Sequence, residues 1–129
     1  MTVGYLADSF DLLNVRDLDL IAQARAQCSR LVVGVFTDAY TEQLLGRPPV
    51  IPFAERLLIV QHVKGVDEVV VHDAATTTTD GVHFLPADRL GAALPGEAYL
   101  QILVPTRGTS STVLQDALST ADVDSEAAA

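Results

Sequence analysis

The sequence contains one cysteine and one lysine, and aromatic residues make up only 5% of it. Cys28 has no partner for an internal disulfide, and a lone thiol cannot form a multi-cysteine metal site. Such cysteine usage is typical of a reducing compartment, so we expect a cytoplasmic protein. No apolar run approaches the roughly 20 residues of a membrane span, and no basic region followed by an apolar stretch opens the chain. We therefore expect neither an export signal nor a membrane partner.

Basic residues are also scarce, because eight of them face seventeen acids for a formal charge of -9. A chain this acidic repels nucleic-acid backbones and anionic lipid heads, so we expect no nucleic-acid partner. Residues 119–129 are rich in Ala and Asp and hold too little apolar surface to pack. We predict one domain over residues 1–118 and a disordered tail over 119–129.

Small aliphatic side chains are what the chain has in abundance. Apolar residues make up 49% of the sequence, and with so few aromatics the core must consist of Leu, Val, Ile and Ala. β-Branched runs predict strands at 2–6, 31–37 and 68–72, buried on both faces, and a later strand at 98–104. Helical spacing of apolar residues between the first three strands predicts a doubly wound parallel sheet. Glycines and prolines argue against a long element in residues 76–98.

Several familiar motifs are missing. The chain has no G-x-x-x-x-G-K-[ST] loop and no G-x-G-x-x-G after its first strand. Lys64 lies between a helix and a strand, which excludes a phospho-acceptor receiver domain with its lysine at the end of a late strand. His62, His72 and His83 fall in three elements without metal-ligand spacing, and we interpret them as ordinary surface or cap histidines.

Two polar stretches follow predicted strands and lead into predicted helices. The first is residues 8–17 and the second is residues 104–112. The carboxyl ends of parallel strands are where open α/β sheets bind ligands, and free N–H groups at helix N-termini attract anions. We expect both stretches to face one crevice.

These stretches resemble the small cytidylyltransferases typified by glycerol-3-phosphate cytidylyltransferase, within the HxGH nucleotidyltransferase superfamily. Residues 9–13 read S-F-D-L-L for the family's T-F-D-L-L, and residues 32–38 read V-V-G-V-F-T-D for V-V-G-V-S-T-D. Glu55 and Arg56 match E/Q-R, residues 66–69 match V-D-E-V, and residues 108–112 match G-I-S-T-T. The resemblance implies an α/β fold, a Rossmann-like three-layer sandwich with a central parallel sheet of about five strands. It also implies a homodimer, with the match between Arg56 and Val69 pointing the same way.

The activity implied by the resemblance is nucleotidyl transfer from CTP, or another nucleotide such as ATP, with Mg²⁺, to a phosphorylated polyol or sugar. Asn14 and Asp17 occupy the positions of the two catalytic histidines. The resemblance places nucleotide-binding residues at Ser9, Phe10, Asp11, Asp38, Arg107, Gly108, Thr109, Ser110, Ser111 and Thr112.

The sequence departs from the family where the chemistry is done. H-x-G-H is replaced by Asn14-Val15-Arg16-Asp17, and a glycine by Asp8. The expected lysine is missing from residues 41–46, and Pro105 stands for an arginine. One charge-stabilising donor is worth about 10²–10³ in rate. A carboxylate about 4 Å from a phosphate oxygen costs roughly 1 to 4 kcal/mol. We therefore expect transfer by the family's route to be severely impaired.

Alternatives stay open for these residues. Mg²⁺ bridging Asp8, Asp11 or Asp17 to the phosphates would turn repulsion into coordination. Arginines beside the lost positions are candidate replacement cations; they are Arg16, Arg47 and Arg107. Asn14 and Asp17 also fit a simple helix start, as N-cap and first-turn acid. Two functions follow: a nucleotidyltransferase, or a catalytically inactive relative that is a nucleotide-binding or structural and regulatory partner.

Overall fold

The structure, a computed structural model, describes residues 2–76, 81–92 and 100–106. Its strands are β1 (Val3–Asp8), β2 (Arg30–Phe36), β3 (Glu68–His72), β4 (Val82–Pro86) and β5 (Leu100–Leu103). Its α-helices are α1 (Val15–Ala26), α2 (Asp38–Leu45) and α3 (Phe53–Gln61), and a 3₁₀ helix covers Ala87–Ala92. None of the described helices is long and apolar enough to cross a membrane.

The five strands form one parallel sheet in the order β3-β2-β1-β4-β5. Tyr5 in the central strand pairs with Val32 of β2 and His83 of β4. The chain first winds outward from β1 to β3 and then returns to the other side of β1. The predicted fold class, a Rossmann-like sandwich with a parallel sheet of about five strands, is confirmed.

Side chains of alternating residues bury the two faces of this sheet in two separate cores. Leu6 and Val33 pack with Leu20 of α1 and Val60 of α3 on one face. Tyr5, Phe36 and Leu85 form the core of the other face, against which Tyr40 and Leu44 of α2 pack. Helical material on both faces requires strands that are apolar on both sides, as the β-branched runs indicated.

Strand β4, helix α2 and the 3₁₀ helix were not predicted from the sequence. Strand β4 lies within the stretch where glycines and prolines argued against a long element, and it is only five residues long. Gly81 precedes it with φ +98°, and an added Cβ there would lie 2.1 Å from the Val3 carbonyl oxygen. Helix α2 is a two-turn element capped by Thr37, whose hydroxyl accepts from the Tyr40 N–H. The predicted final helix and the tail over 119–129 lie outside the described residues.

Candidate functional site

The turn that follows β1 forms one wall of the predicted crevice. Phe10 and Leu12 have φ of +52° and +54°, in the left-handed region that non-glycine residues rarely adopt. The Phe10 ring is buried in the core, and this anchors the turn. The Asp11 carboxylate accepts hydrogen bonds from the N–H groups of Val50 (2.8 Å) and Ile51 (2.9 Å). Asp11 therefore fastens the turn to the segment that precedes α3.

Arg56 of α3 connects this turn to the segment before α3 and to the start of α2. Its side chain is fully buried and donates to the carbonyl oxygens of Ser9 (2.6 Å) and Ile51 (2.9 Å). The third contact is an ion pair of 2.7 Å with Asp38 at the start of α2. Arg56 thus joins two predicted nucleotide-binding residues, Ser9 and Asp38, and the third, Asp11, binds the N–H of the same Ile51. This linking role of Arg56 was not predicted from the sequence, although the Glu55-Arg56 match was a signal for it.

Asn14 is the N-cap of α1, as the helix-start interpretation predicts. Its side-chain oxygen accepts from the N–H groups of Arg16 (2.9 Å) and Asp17 (3.4 Å). Its amide nitrogen donates to the Leu12 carbonyl oxygen (3.0 Å) and to an Asp17 carboxylate oxygen (3.4 Å). These bonds satisfy donors at the helix N-terminus that would otherwise attract an anion.

The other wall is a network of five charged side chains, which we call the Arg16 network. Arg16 Nη1 contacts Asp17 Oδ1 at 2.7 Å and Asp8 Oδ2 at 3.2 Å. Its Nε donates to Asp88 Oδ2 at 2.8 Å, and its Nη2 contacts the other oxygen of the same carboxylate. Arg89 Nε lies 3.3 Å from Asp8 Oδ1. Because Asp8, Arg16 and Asp17 are all buried, most of the network is screened from water.

The network lies where the winding of the sheet reverses. Asp8 ends β1, and Asp88 follows the end of the neighbouring strand β4. Doubly wound sheets bind their ligands outside this reversal point, at the carboxyl ends of the strands. The Arg16 guanidinium spans that point and joins β1, α1 and the 3₁₀ helix.

Electrostatics distinguish the carboxylates of the network. Burial, followed by the negative charge of Asp8, raises the pKa of Asp17 to about 7 even though Arg16 opposes the shift. Burial also favours the neutral form of Asp88, but the hydrogen bonds and charge of Arg16 outweigh it and lower the pKa of that carboxyl. With every group ionised, three carboxylates and two guanidiniums leave one net negative charge, which a proton on Asp17 removes.

The carboxylates proposed for Mg²⁺ are engaged in two different arrangements. Both oxygens of Asp11 accept backbone N–H groups, whereas Asp8 and Asp17 share one nitrogen of Arg16. Within residues 2–76, 81–92 and 100–106, no group of three or more His, Cys, Asp or Glu side chains is arranged to hold a metal ion. Asp8 and Asp17 are engaged by Arg16 and Asp11 by backbone N–H groups, and the bridging of a carboxylate to phosphates by Mg²⁺ stays a prediction.

The remaining predictions concern residues 107–112 and the three histidines. Residues 107–112, which supply the remaining predicted nucleotide-binding residues, lie outside the described residues. The interpretation of the histidines is correct for His62, which is exposed at the end of α3, and wrong for the other two. His72 and His83 are buried on the α2 face of the sheet, where the Tyr5 hydroxyl lies 2.5 Å from His72 Nδ1. Burial, with a smaller contribution from His83, lowers the pKa of His72 to about 4.

The chain is similar in sequence to known cytidylyltransferase-like proteins. A family model described as Cytidylyltransferase-like matches residues 6–116. The bifunctional protein HldE of Granulibacter bethesdensis is 30% identical over an alignment 129 residues long. The alignment covers 88% of this chain and 27% of that protein. The ethanolamine-phosphate cytidylyltransferase of Arabidopsis thaliana is 38% identical over 78 residues, 59% of this chain and 18% of that protein. The chain thus spans less than a third of the length of these curated relatives.

A solved structure supports the fold. The lipopolysaccharide core biosynthesis protein from Thermoplasma volcanium superposes with a TM-score of 0.67 and covers 84% of this chain and 99% of its own. At 16% identity this similarity concerns the fold alone.

Proposed function

Since the chain belongs to the cytidylyltransferase-like family, we propose that it is a non-catalytic member whose crevice is occupied by its own Arg16 side chain. In this proposal the domain serves as a structural or regulatory partner and does not transfer nucleotides. The chain spans only part of the length of its relatives, and the proposal concerns this domain.

The position of Arg16 is the observation that carries the proposal. This residue stands where the family motif has glycine, the one residue without a side chain to fill the space. In this chain a buried guanidinium fills it and contacts three carboxylates. A phosphate entering the crevice would have to displace at least one of these contacts and then lie beside Asp8 or Asp17.

The neighbouring residues support the same conclusion. Nucleotidyl transfer depends mainly on positive charge and hydrogen-bond donors directed at the phosphates. Here the N–H groups of Arg16 and Asp17 at the start of α1 are bonded to Asn14, and the Arg16 network carries no net positive charge. Proton transfer by a histidine pair is also lost, and such a group is worth about 10²–10⁴ in rate.

The test is a transfer assay combined with thermal unfolding. The purified chain is incubated with Mg²⁺, CTP or ATP, and glycerol 3-phosphate or phosphoethanolamine, and pyrophosphate release is measured. We expect none above the protein-free blank. We also expect no shift of the unfolding temperature, whereas a nucleotide at 100 times its Kd would add about 2.7 kcal/mol to the free energy of unfolding.

A matched variant makes the negative result informative. Asp8→Gly, Asn14→His, Arg16→Gly and Asp17→His together restore the family residues at the crevice. We expect this variant to gain a nucleotide-dependent increase in unfolding temperature. Rapid pyrophosphate release by the unmodified chain would disprove the proposal, and a thermal shift without release would favour a nucleotide-binding relative.

One observation favours active transfer as a second candidate. Arg16 and Arg89 both reach Asp8 at the crevice, and guanidinium groups bind phosphate oxygens in two-point contacts. If a nucleotide drew both arginines away from their carboxylates, they would replace the lost cations. The expected reaction is then transfer from CTP with Mg²⁺ to a phosphorylated acceptor, as the name of the Arabidopsis relative suggests. In the assay above, release that disappears in Arg16→Met would identify this route.

A further inference from the structure

His72 is a fully buried histidine at the end of β3, on the face of the sheet that α2 covers. Its Nδ1 lies 2.5 Å from the hydroxyl of Tyr5, two strands away in the sheet. Gly34 of the intervening strand makes room for this contact, because an added Cβ there would lie 2.1 Å from the Tyr5 hydroxyl oxygen. Burial raises the pKa of Tyr5, so the hydroxyl keeps its proton. It can donate that proton to Nδ1 only while the imidazole ring is neutral.

Helix α2 rests on this histidine through one aromatic side chain. The Tyr40 ring lies 5.2 Å from the His72 ring and 4.7 Å from the Phe36 ring, between centroids. Of the eight residues of α2, only Thr41 is buried, and the helix is held to the sheet by the packing of Tyr40 and Leu44. Elements with few buried contacts open locally before the whole fold does.

A positive charge on the His72 ring has little to compensate it. The ionisable groups that face the ring within the described residues are Tyr5 of β1, Tyr40 of α2, His83 of β4 and Asp73, the next residue along the chain. Burial raises the pKa of both tyrosines, so neither supplies a negative charge. Burial and the charge of His83 lower the pKa of His72 to about 4, and the opposing effect of Asp73 is smaller.

The second ring nitrogen of His72 gives the same direction. Within the described part of the chain, Nε2 is buried and has no hydrogen-bond partner. Because Nδ1 contacts a hydroxyl, neither nitrogen is bonded to a carboxylate. A buried charge without such a partner is strongly disfavoured, so the attached state of α2 requires the neutral ring.

We propose that His72 is an acid-sensitive contact for helix α2: the neutral ring holds the helix on the sheet, and proton uptake by the ring releases it while the other face of the sheet stays packed. Asp38 is the first residue of α2 and pairs with Arg56 at 2.7 Å, so release of the helix also breaks this ion pair beside the crevice. The proposal does not depend on whether the crevice transfers nucleotides.

The pH range follows from the two states of the ring. A released His72 has the ordinary histidine pKa of 6.5, and the attached ring has a lowered pKa of about 4. The stability that His72 gives to the attached helix is therefore present above pH 6.5 and is lost as the pH falls toward 4. Between pH 7 and pH 5 the ratio of released to attached helix should rise about twentyfold. This range lies above the sequence pI of about 4.4, so the chain keeps a negative charge that opposes aggregation.

Hydrogen exchange followed by NMR tests the proposal. Amide protection is measured from pH 7 to pH 5 and corrected for the pH dependence of the intrinsic exchange rate. We expect protection in α2 to fall about twentyfold, and protection of the Val60 amide in α3, on the other face, to stay constant. His72→Phe keeps an aromatic ring that cannot bind a proton and should abolish the fall in α2. His62→Phe, at an exposed position, is the matched control and should retain it.

The ring signals of His72 give a second readout that needs no substitution. In the unmodified protein we expect a neutral ring at pH 5 with its proton on Nε2. A ring that is already charged at pH 5 would overturn the proposal. So would constant protection of α2 from pH 7 to pH 5, an equal fall in α2 and at Val60, or a fall that persists in His72→Phe.

Discussion

Two buried arginines, Arg56 and Arg16, lie at the site of the predicted crevice, and their hydrogen-bond partners differ. Arg56 donates mainly to backbone carbonyl oxygens and has a single acidic partner, the exposed Asp38. Among the described residues, the partners of the Arg16 guanidinium are all side-chain carboxylates. Backbone carbonyls cannot respond to the loss of their partner, whereas a carboxylate can bind a proton. We therefore propose that Arg56 maintains the fold and that Arg16 determines what can bind at this end of the sheet.

The largest effect is expected from removing each arginine in turn. Arg56→Met leaves the Ser9 and Ile51 carbonyl oxygens without their buried donor and should reduce the free energy of unfolding by about 3–5 kcal/mol. Arg16→Met should cost less, about 1–3 kcal/mol, because Arg89 still pairs with Asp8 and Asp17 can bind a proton. Urea denaturation of the two variants measures the difference. Equal losses would remove the distinction between the two walls.

The pH dependence of the free energy of unfolding tests the role of Asp17 in the Arg16 network. Its pKa rises from 3.8 to about 7 on folding, so the folded chain binds a proton more tightly than the unfolded chain. The associated stability is present below pH 4 and is lost as the pH rises through 7. Asp17→Asn removes this dependence, so its free energy of unfolding relative to the unmodified protein should increase between pH 4 and pH 8, by about 1–4 kcal/mol.

The measurement is urea unfolding at several pH values, with Glu42→Gln as a control at an exposed position of α2. Asp88 does not obscure the result. Its lowered pKa gives stability that is present above its ordinary value of 3.8 and is lost only at more acid pH. A constant difference between Asp17→Asn and the unmodified protein from pH 4 to pH 8 would contradict the charge assignment in the Arg16 network.

The smallest effect is expected at Asn14. Loss of an N-cap side chain costs typically about 1 kcal/mol, so Asn14→Ala should lower the free energy of unfolding by that amount. Asn14→Ser keeps an oxygen that can accept from the start of α1 and should recover most of the loss. If Ala and Ser destabilise equally, the side chain of Asn14 is not acting as a cap, and its position in the crevice needs another explanation.

Local patterns in the sequence predicted the parts of the fold that depend on neighbouring residues. β-Branched runs identified β1, β2 and β3, since strands covered on both faces must be apolar throughout. For Asn14 the sequence left two interpretations open, a catalytic position and a helix cap, and the structure shows the cap. Strand β4 was missed because it has only five residues, the last of them Pro86, and so carries little periodicity, although His83 and Phe84 are both buried there.

What only the tertiary structure decided is which charges meet. Arg16 and Asp88 are 72 residues apart in sequence, and Arg56 reaches Ser9 across 47 residues. No local pattern encodes such pairs, because they depend on which strands lie side by side and where the chain reverses its winding. The sequence alone identified the family and the altered motif at residues 14–17. Folding then determined that Arg16 turns inward to three carboxylates, since a buried guanidinium is stable only with partners that compensate for the loss of water.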